Sequence, residues 1–278
     1  MPVGTSQAVP APVVASPEAL ATEIRLRAVQ MIAPQGFGYL GQALSSAEQV
    51  AGLFATLRLG TDRLVCSPGH YIIGPFAAAV ALGLLGTDAI TQYGKNESPI
   101  EAIGTERSPV VDYTCGSLGQ GLSAAVGFAL SDQLRNHDAF TYAMISDGEL
   151  EEGQIWEAAL FAAHHRLGSL IVTLDANNSQ VDGPVDSITT LEPIAAKWQA
   201  FGWHAIDLDG HDVHAIMTAL AEAKTDTARP SILICRTSTL HGLTCLPESA
   251  DGHFIKLPPA LADTAVVELE SRLKEQRA

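Results

Sequence analysis

Apolar and polar positions change their rhythm along this chain. From residue 19 to 32 apolar residues recur at helical spacing, with Ser16-Pro17-Glu18 as a start signal and Pro34 as the stop. A glycine-rich turn follows, from Gln35 to Gly41. Ser45-Ser46-Ala47-Glu48 then offers a cap, and Val50, Leu53, Phe54 and Leu57 repeat at i, i+3, i+4 and i+7, which predicts a second helix. Residues 75–85 and 118–134 are small and apolar on nearly every side, as expected of helices packed in a core or against another subunit. From residue 142 short β-type runs alternate with helical ones. The strands fall at 142–146, 170–175, 203–208 and 232–236, and the helices around 155–164, 188–200 and 213–223.

Strand, helix, strand in that order implies right-handed crossovers, so the predicted fold is α/β, a doubly wound parallel sheet flanked by helices. Ligands of such sheets bind beyond the carboxyl ends of the strands, which directs attention to the residues just after each run. Neither an internal repeat nor a linker divides the chain. Residues 17–278 are expected to form one domain behind a flexible arm rich in Pro, Ala and Val over residues 1–16, with a strap across a partner subunit as the alternative.

Composition narrows the function. With 16 basic and 31 acidic residues the net charge is −15, and no Lys/Arg cluster interrupts it, so nucleic acid and anionic membrane surfaces are excluded as partners. A phosphorylated ligand would need helix N-termini, backbone N–H groups or a bound cation. The four cysteines, Cys66, Cys115, Cys235 and Cys245, form no C-x-x-C pair, so reduced thiols in the cytoplasm are expected rather than zinc or disulfides. No stretch reaches the roughly 18 apolar residues of a membrane span.

Two strand ends carry the candidate chemistry. Asp147-Gly148-Glu149 follows one strand, and Asn177-Asn178-Ser179 closes the next, one strand-helix-strand unit later. A hard divalent cation such as Mg²⁺ or Ca²⁺ takes a carboxylate, an amide carbonyl and a backbone carbonyl, completed by phosphate oxygens. Taken singly, D-G and N-N are turn residues; the pairing at this spacing favours a metal.

Ser146-Asp147-Gly148 through Asn177 resembles the G-D-G…N thiamine-diphosphate signature. The following Glu149-Leu150-Glu151-Glu152-Gly153-Gln154-Ile155-Trp156-Glu157-Ala158 is similar to the transketolase version, particularly the N-terminal subunit of split transketolases. Ser67-Pro68-Gly69-His70, Cys115-Gly116-Ser117-Leu118-Gly119-Gln120-Gly121, Asp209-Gly210-His211-Asp212 and a late His253 extend the resemblance over most of residues 20–257. The resemblance implies thiamine diphosphate as cofactor, with Asp147, Asn177 and the carbonyl of Ser179 on the metal. It places His70 and His253 near the diphosphate and the reacting carbon. Gly116, Ser117, Leu118, Gly148 and Glu149 complete the cofactor cradle, and the carbonyl of Gly116 faces the aminopyrimidine. Glu152 and Glu157 match interfacial acids implicated in proton communication between active sites, and a buried pair there would titrate together. On the residues alone, His241 competes with His253, and Glu152 and Glu157 could be ordinary acids at a helix start. His211 and His214 straddle a helix start and are expected to belong to its capping segment.

Two departures concern the substrate. Tyr39 stands where a substrate-facing histidine belongs, and Gly104-Thr105-Glu106 replaces a second histidine motif, so Tyr39 and Thr105 are candidate substrate residues. The donor or acceptor is therefore expected to be a non-standard ketose, a 2-oxo acid or a biosynthetic intermediate rather than an ordinary sugar phosphate. Family members need a second domain for the aminopyrimidine, which implies a separate pyrimidine-binding, C-terminal transketolase-like subunit in an α₂β₂ heterotetramer. The competing expectations are an alpha-type subunit of a decarboxylating 2-oxo acid dehydrogenase and a non-catalytic paralogue that scaffolds a partner.

Overall fold

The computed structural model describes residues 16–277. Apart from Ser16, the arm expected over residues 1–16 lies outside the described residues.

The first half of the chain is helix-rich. Helix α1 (Pro17–Ile32) starts where the Ser16 hydroxyl accepts from Ala19 N–H, and β1 (Phe37–Gly38) leads into α2 (Leu40–Ser45) and α3 (Ala47–Thr56). Strand β2 (Arg63–Pro68), α4 (Ile73–Ala81), α5 (Asp88–Gln92), β3 (Tyr113–Cys115) and α6 (Gln120–Leu134) follow. The alternating half contains β4 (Thr141–Ser146), α7 (Gly153–His164), β5 (Leu170–Ala176), α8 (Val185–Ile188) and α9 (Ile194–Ala200). It continues through β6 (His204–Asp209), α10 (Val213–Thr225), β7 (Ser231–Arg236), β8 (Ile255–Lys256) and α11 (Pro259–Arg277).

Six strands form a parallel sheet in the order β3-β2-β4-β5-β7-β6, and β1 pairs antiparallel with β8 beside it. Side chains alternate across the sheet, so each inner strand feeds two cores. Cys66, Tyr142, Met144, Ile171 and Leu233 face α1, α3, α4 and α10, whereas Val65, Ala143, Ile145, Val172 and Ile234 face α6, α7 and α9. The chain reverses its winding between β2 and β4, which opens a crevice at their carboxyl ends.

The doubly wound α/β expectation is met, with local differences. Strands β2 and β3 were not legible, because β2 holds only three consecutive apolar residues and β3 spans three residues in all. Of the helix expected over 188–200 only α9 forms, since α8 ends at Ile188 and Pro193, which lacks an amide proton and disfavours helical geometry in the residue ahead of it, precedes the start of α9. Helix α4 is buried throughout in this chain's own core, which excludes it as a free interface face. Helix α11 packs Ala262, Ala265, Leu269 and Leu273 into the core that holds α1. Among the described residues no helix is long and apolar enough to cross a membrane.

Candidate functional site

A cleft of about 410 Å³ opens at the carboxyl edge of the sheet. Its lining comes from four strand ends or their continuations: His70 and Tyr71 after β2, Gly116 and Leu118 after β3, Ser146, Gly148 and Glu152 after β4, and Ser179 to Asp182 after β5. Tyr39 and His253 close the far side, carried there by the β1–β8 pairing. The expected residues His70, Gly116, Leu118, Gly148, Ser179 and His253 thus converge, although they span 184 positions from His70 to His253.

The strand-end acid and amide are held in defined orientations. Asp147 Oδ2 accepts from Asn178 N–H at 2.6 Å and Oδ1 from Gly148 N–H at 2.9 Å. Burial, then the neighbouring Asp175 carboxylate, push the Asp147 carboxyl up to about 7, and the backbone N–H groups offset only part of this. Among the described residues no Lys or Arg pairs with Asp147. Asn177 donates from Nδ2 to Asp175 at 2.7 Å and to the Tyr71 hydroxyl at 2.9 Å, leaving Oδ1 to accept from Ser179 N–H at 2.9 Å. Asp175 itself is buried and collects Ser45 Oγ at 2.6 Å, Tyr71 OH at 2.9 Å, Gln49 Nε2 at 3.1 Å and Thr237 Oγ1. A buried carboxylate without a cationic side chain, next to an amide whose oxygen is turned away from its own anchor, is a donor set suited to a hard divalent cation.

Aromatic rings build the far wall. The Tyr39 ring centroid lies 5.1 Å from His70, 5.8 Å from His253 and 5.2 Å from Phe254, and the two histidine rings are 5.2 Å apart. Burial, and then His253, bring His70 down to about 3, so its imidazole is neutral at pH 7. His253 is also lowered, first by burial. His241 does not reach the cleft; it stacks on His211 at 3.6 Å, beside the buried Arg25–Glu48 pair. Asp212 caps α10 by accepting from His214 N–H and Ala215 N–H, in line with the capping role expected of this segment.

Three site expectations are corrected, those for Glu149, Thr105 and Ser117. Glu149 does not line the cleft: its carboxylate is buried and accepts from Ser67 Oγ at 2.7 Å, Gly119 N–H at 2.6 Å and Ser146 N–H at 3.3 Å, so it ties the 116–119 loop to β4. Burial pushes that carboxyl up to about 7 despite these donors. Thr105 turns its hydroxyl to Glu101, and Ile103 occupies the cleft wall instead. Ser117 is exposed beside the cleft without lining it. Glu152 lines the cleft and Glu157 stands outside it on α7, both exposed, so this chain alone does not form the buried acid pair.

Residues that escaped the sequence reading are Gln42, Tyr71 and Asp175. An acid inside the apolar run of β5 was the available signal for Asp175, since such a side chain must be hydrogen-bonded. The 116–119 loop meets α6 through Gly119, whose φ of +83° is left-handed and whose missing Cβ would stand 2.9 Å from Glu152 Cβ.

Fold and site together define a parallel α/β domain with its ligand cleft at the winding switch. The chain belongs to the transketolase family: residues 16–260 match the family described as transketolase, thiamine diphosphate binding domain, whose members bind thiamine diphosphate. It is similar to the transketolase family protein y4mO of Sinorhizobium fredii, 36% identical over 86% of this chain and 90% of that one. It is equally similar, at 36% identity, to the 6-deoxy-6-sulfo-D-fructose transketolase subunit SqwG of Clostridium sp. (strain MSTE9), over 90% of this chain and 94% of the relative. Human transketolase is 30% identical over 92% of this chain, which spans 42% of its length. A crystal structure of a Pichia stipitis transketolase mutant with xylulose-5-phosphate superposes with a TM-score of 0.82 at 25% identity, covering 93% of this chain and 40% of that one.

Proposed function

We propose that this chain is the diphosphate- and metal-binding subunit of a two-component, thiamine-diphosphate-dependent transketolase-like transferase that moves a ketol or acyl unit. The reading is supported by Asp147, which accepts from Asn178 N–H, and Asn177, whose Oδ1 accepts from Ser179 N–H, next to a cleft lined by Ser179, His70, His253, Gly116 and Leu118. Asp147, the Asn177 amide oxygen and the Ser179 carbonyl would hold Mg²⁺ or Ca²⁺, through which an acidic chain binds a diphosphate. Thiamine diphosphate supplies, when bound, a carbon nucleophile and an electron sink.

The remaining steps belong to this chain's residues. Gly116 and Leu118 line the cleft, where the Gly116 carbonyl would accept from the aminopyrimidine amino group of the bound cofactor. His70 is neutral and buried, so at neutral pH it can hydrogen-bond a ligand oxygen without carrying a standing charge. Tyr39 and Ile103 make this chain's share of the substrate wall aromatic and apolar. No Lys or Arg among the described residues lines the cleft, whereas Glu151, Glu152 and Asp182 do. An anionic terminus on a ketose or 2-oxo acid substrate, including a sulfonate of the kind named for the Clostridium relative, would thus be recognised by the partner subunit.

That partner is a pyrimidine-binding, C-terminal transketolase-like subunit in an α₂β₂ assembly. Support comes from a relative named as a subunit that this chain covers over 94% of its length. The outer faces of α6 and α7 also expose Leu134, Leu160 and Phe161 at 74%, 61% and 43%. Glu152 and Glu157, exposed here, would enter that interface. Four free thiols, two of them buried, fit a reducing, cytoplasmic setting.

The test is calorimetric titration of thiamine diphosphate with Mg²⁺ into this chain co-expressed with its partner. Metal-dependent binding that disappears in Asp147→Ala supports the reading. A folded complex that binds nothing would leave a non-catalytic scaffold as the better account.

A further inference from the structure

We infer that Gln42 is a positioning residue that holds His253 in the tautomer with its proton on Nε2. Gln42 lies on α2, 1% exposed, and reaches across 211 positions of sequence to the residue that closes the cleft. Its side-chain nitrogen sits 3.1 Å from His253 Nδ1 and 3.1 Å from the His253 carbonyl oxygen. The carbonyl can only accept, so the amide atom facing it is the nitrogen and not the oxygen. The same nitrogen faces Nδ1, which must therefore accept as well. A ring whose Nδ1 accepts carries its proton on Nε2.

The setting leaves the ring little freedom to do otherwise. The Gly41 and Gly252 backbones touch: a Cβ on Gly41 would stand 1.8 Å from the Gly252 carbonyl oxygen. Asp251 Oδ1 accepts from His253 N–H at 2.9 Å and from Phe254 N–H at 3.3 Å, which fixes the loop from its other side. The other amide atom of Gln42, Oε1, is buried without a partner. An apolar residue of that size would tie α2 to the loop without orphaning an acceptor, so the amide is explained by what its nitrogen does. Resting on the proposed function, the consequence is that His253 presents a donor, not an acceptor, to ligand oxygens in the cleft.

The experiment is a long-range ¹H–¹⁵N correlation spectrum of the full chain labelled with ¹⁵N-histidine, without cofactor, the His253 signal being assigned by its loss in His253→Gln. The expected pattern is a single Nε2-protonated ring. Gln42→Leu should convert it to a mixture of tautomers, and the near-isosteric Gln42→Glu, which puts an acceptor opposite Nδ1, should place a proton there; the latter variant serves if the former does not fold. An Nδ1-protonated ring in the unmodified chain, or an unchanged pattern in folded Gln42→Glu, overturns the inference. Because the spectrum needs no cofactor, a failed calorimetric titration would remove the proposed function and leave this result standing.

Discussion

Asn177 turns its amide nitrogen onto the Asp175 carboxylate at 2.7 Å, and that hydrogen bond decides which end of the amide is left for a ligand. Asp175 is ringed by five donors from Ser45, Gln49, Tyr71, Asn177 and Thr237, and a carboxylate that only accepts can serve such a ring. Asp175→Asn brings donors against donors. It should cost about 1–3 kcal/mol in urea unfolding, and it should weaken Mg²⁺-dependent thiamine diphosphate binding by calorimetry, because Asn177 is then free to flip. Unaltered affinity in a folded variant would count against this orienting role.

Asp147 has its carboxyl raised to about 7 from 3.8 by burial and by Asp175. A raised folded-state value means the group's contribution to stability is present below pH 3.8 and is lost as pH rises through about 7. The ligand-free chain should therefore lose stability between pH 6 and pH 8, and Asp147→Asn, which cannot ionise, should flatten that decline, although its NH₂ meets the N–H of Gly148 or Asn178. The same variant should lose the rise in melting temperature that Mg²⁺ with thiamine diphosphate gives the unmodified protein. Thermal scans with and without both ligands read the two effects together.

His70 works in the opposite pH range. Its ring falls from 6.5 to about 3 through burial and then through His253, so the stability it contributes is present above pH 6.5 and is lost as pH falls toward 3. Denaturant midpoints at pH 7, 6, 5 and 4 should decline, with His70 supplying up to about 1.4 kcal/mol per pH unit in that window. His70→Gln should flatten the decline. An identical pH slope in the variant would place the acid sensitivity elsewhere.

Glu48 and Arg25 form a buried bidentate pair at 2.7 and 2.6 Å, with His211 at 3.5 Å from the same carboxylate. Burial alone would raise Glu48, but His211 and Arg25 outweigh it and bring the carboxyl down to about 2. Glu48→Ala strands the guanidinium and should cost about 3–5 kcal/mol in chemical unfolding. Arg25→Met combined with Glu48→Leu should recover more than half of that. If the double variant is no better than the single one, the pair contributes through packing rather than charge.

Much of this molecule is readable before its structure, but unevenly. The strands that precede Asp147 and Asn177 are mostly apolar runs, Tyr142–Ile145 and Leu170–Leu174 with Thr173 between, each followed by a polar residue, so their carboxyl ends could be placed by counting. The runs around β2 and β3 are too short for periodicity to register, and His70 was found through Ser67-Pro68-Gly69-His70 instead. Glu149 misled because its neighbours line the cleft; only the fold shows that its carboxylate turns inward to Gly119. Thr105 failed for a similar reason, since which of residues 103 and 105 faces the cleft depends on a loop anchored to Glu101. Gln42 was invisible because its partner lies 211 residues away, and a lone glutamine carries no signal of its own.

The pairing of β1 with β8 has a consequence for how the site comes into being. Residues 37–38 precede every strand of the six-stranded sheet and residues 255–256 follow them all, yet the cleft has no far wall until the two meet. During synthesis the sheet can assemble behind the ribosome as successive strands emerge. The histidine pair cannot form until residues 253–256 have been released, so the far wall of the pocket is completed after every strand of the six-stranded sheet. A nascent or truncated chain can thus own most of its sheet and metal-side residues while lacking the enclosure that a cofactor would need.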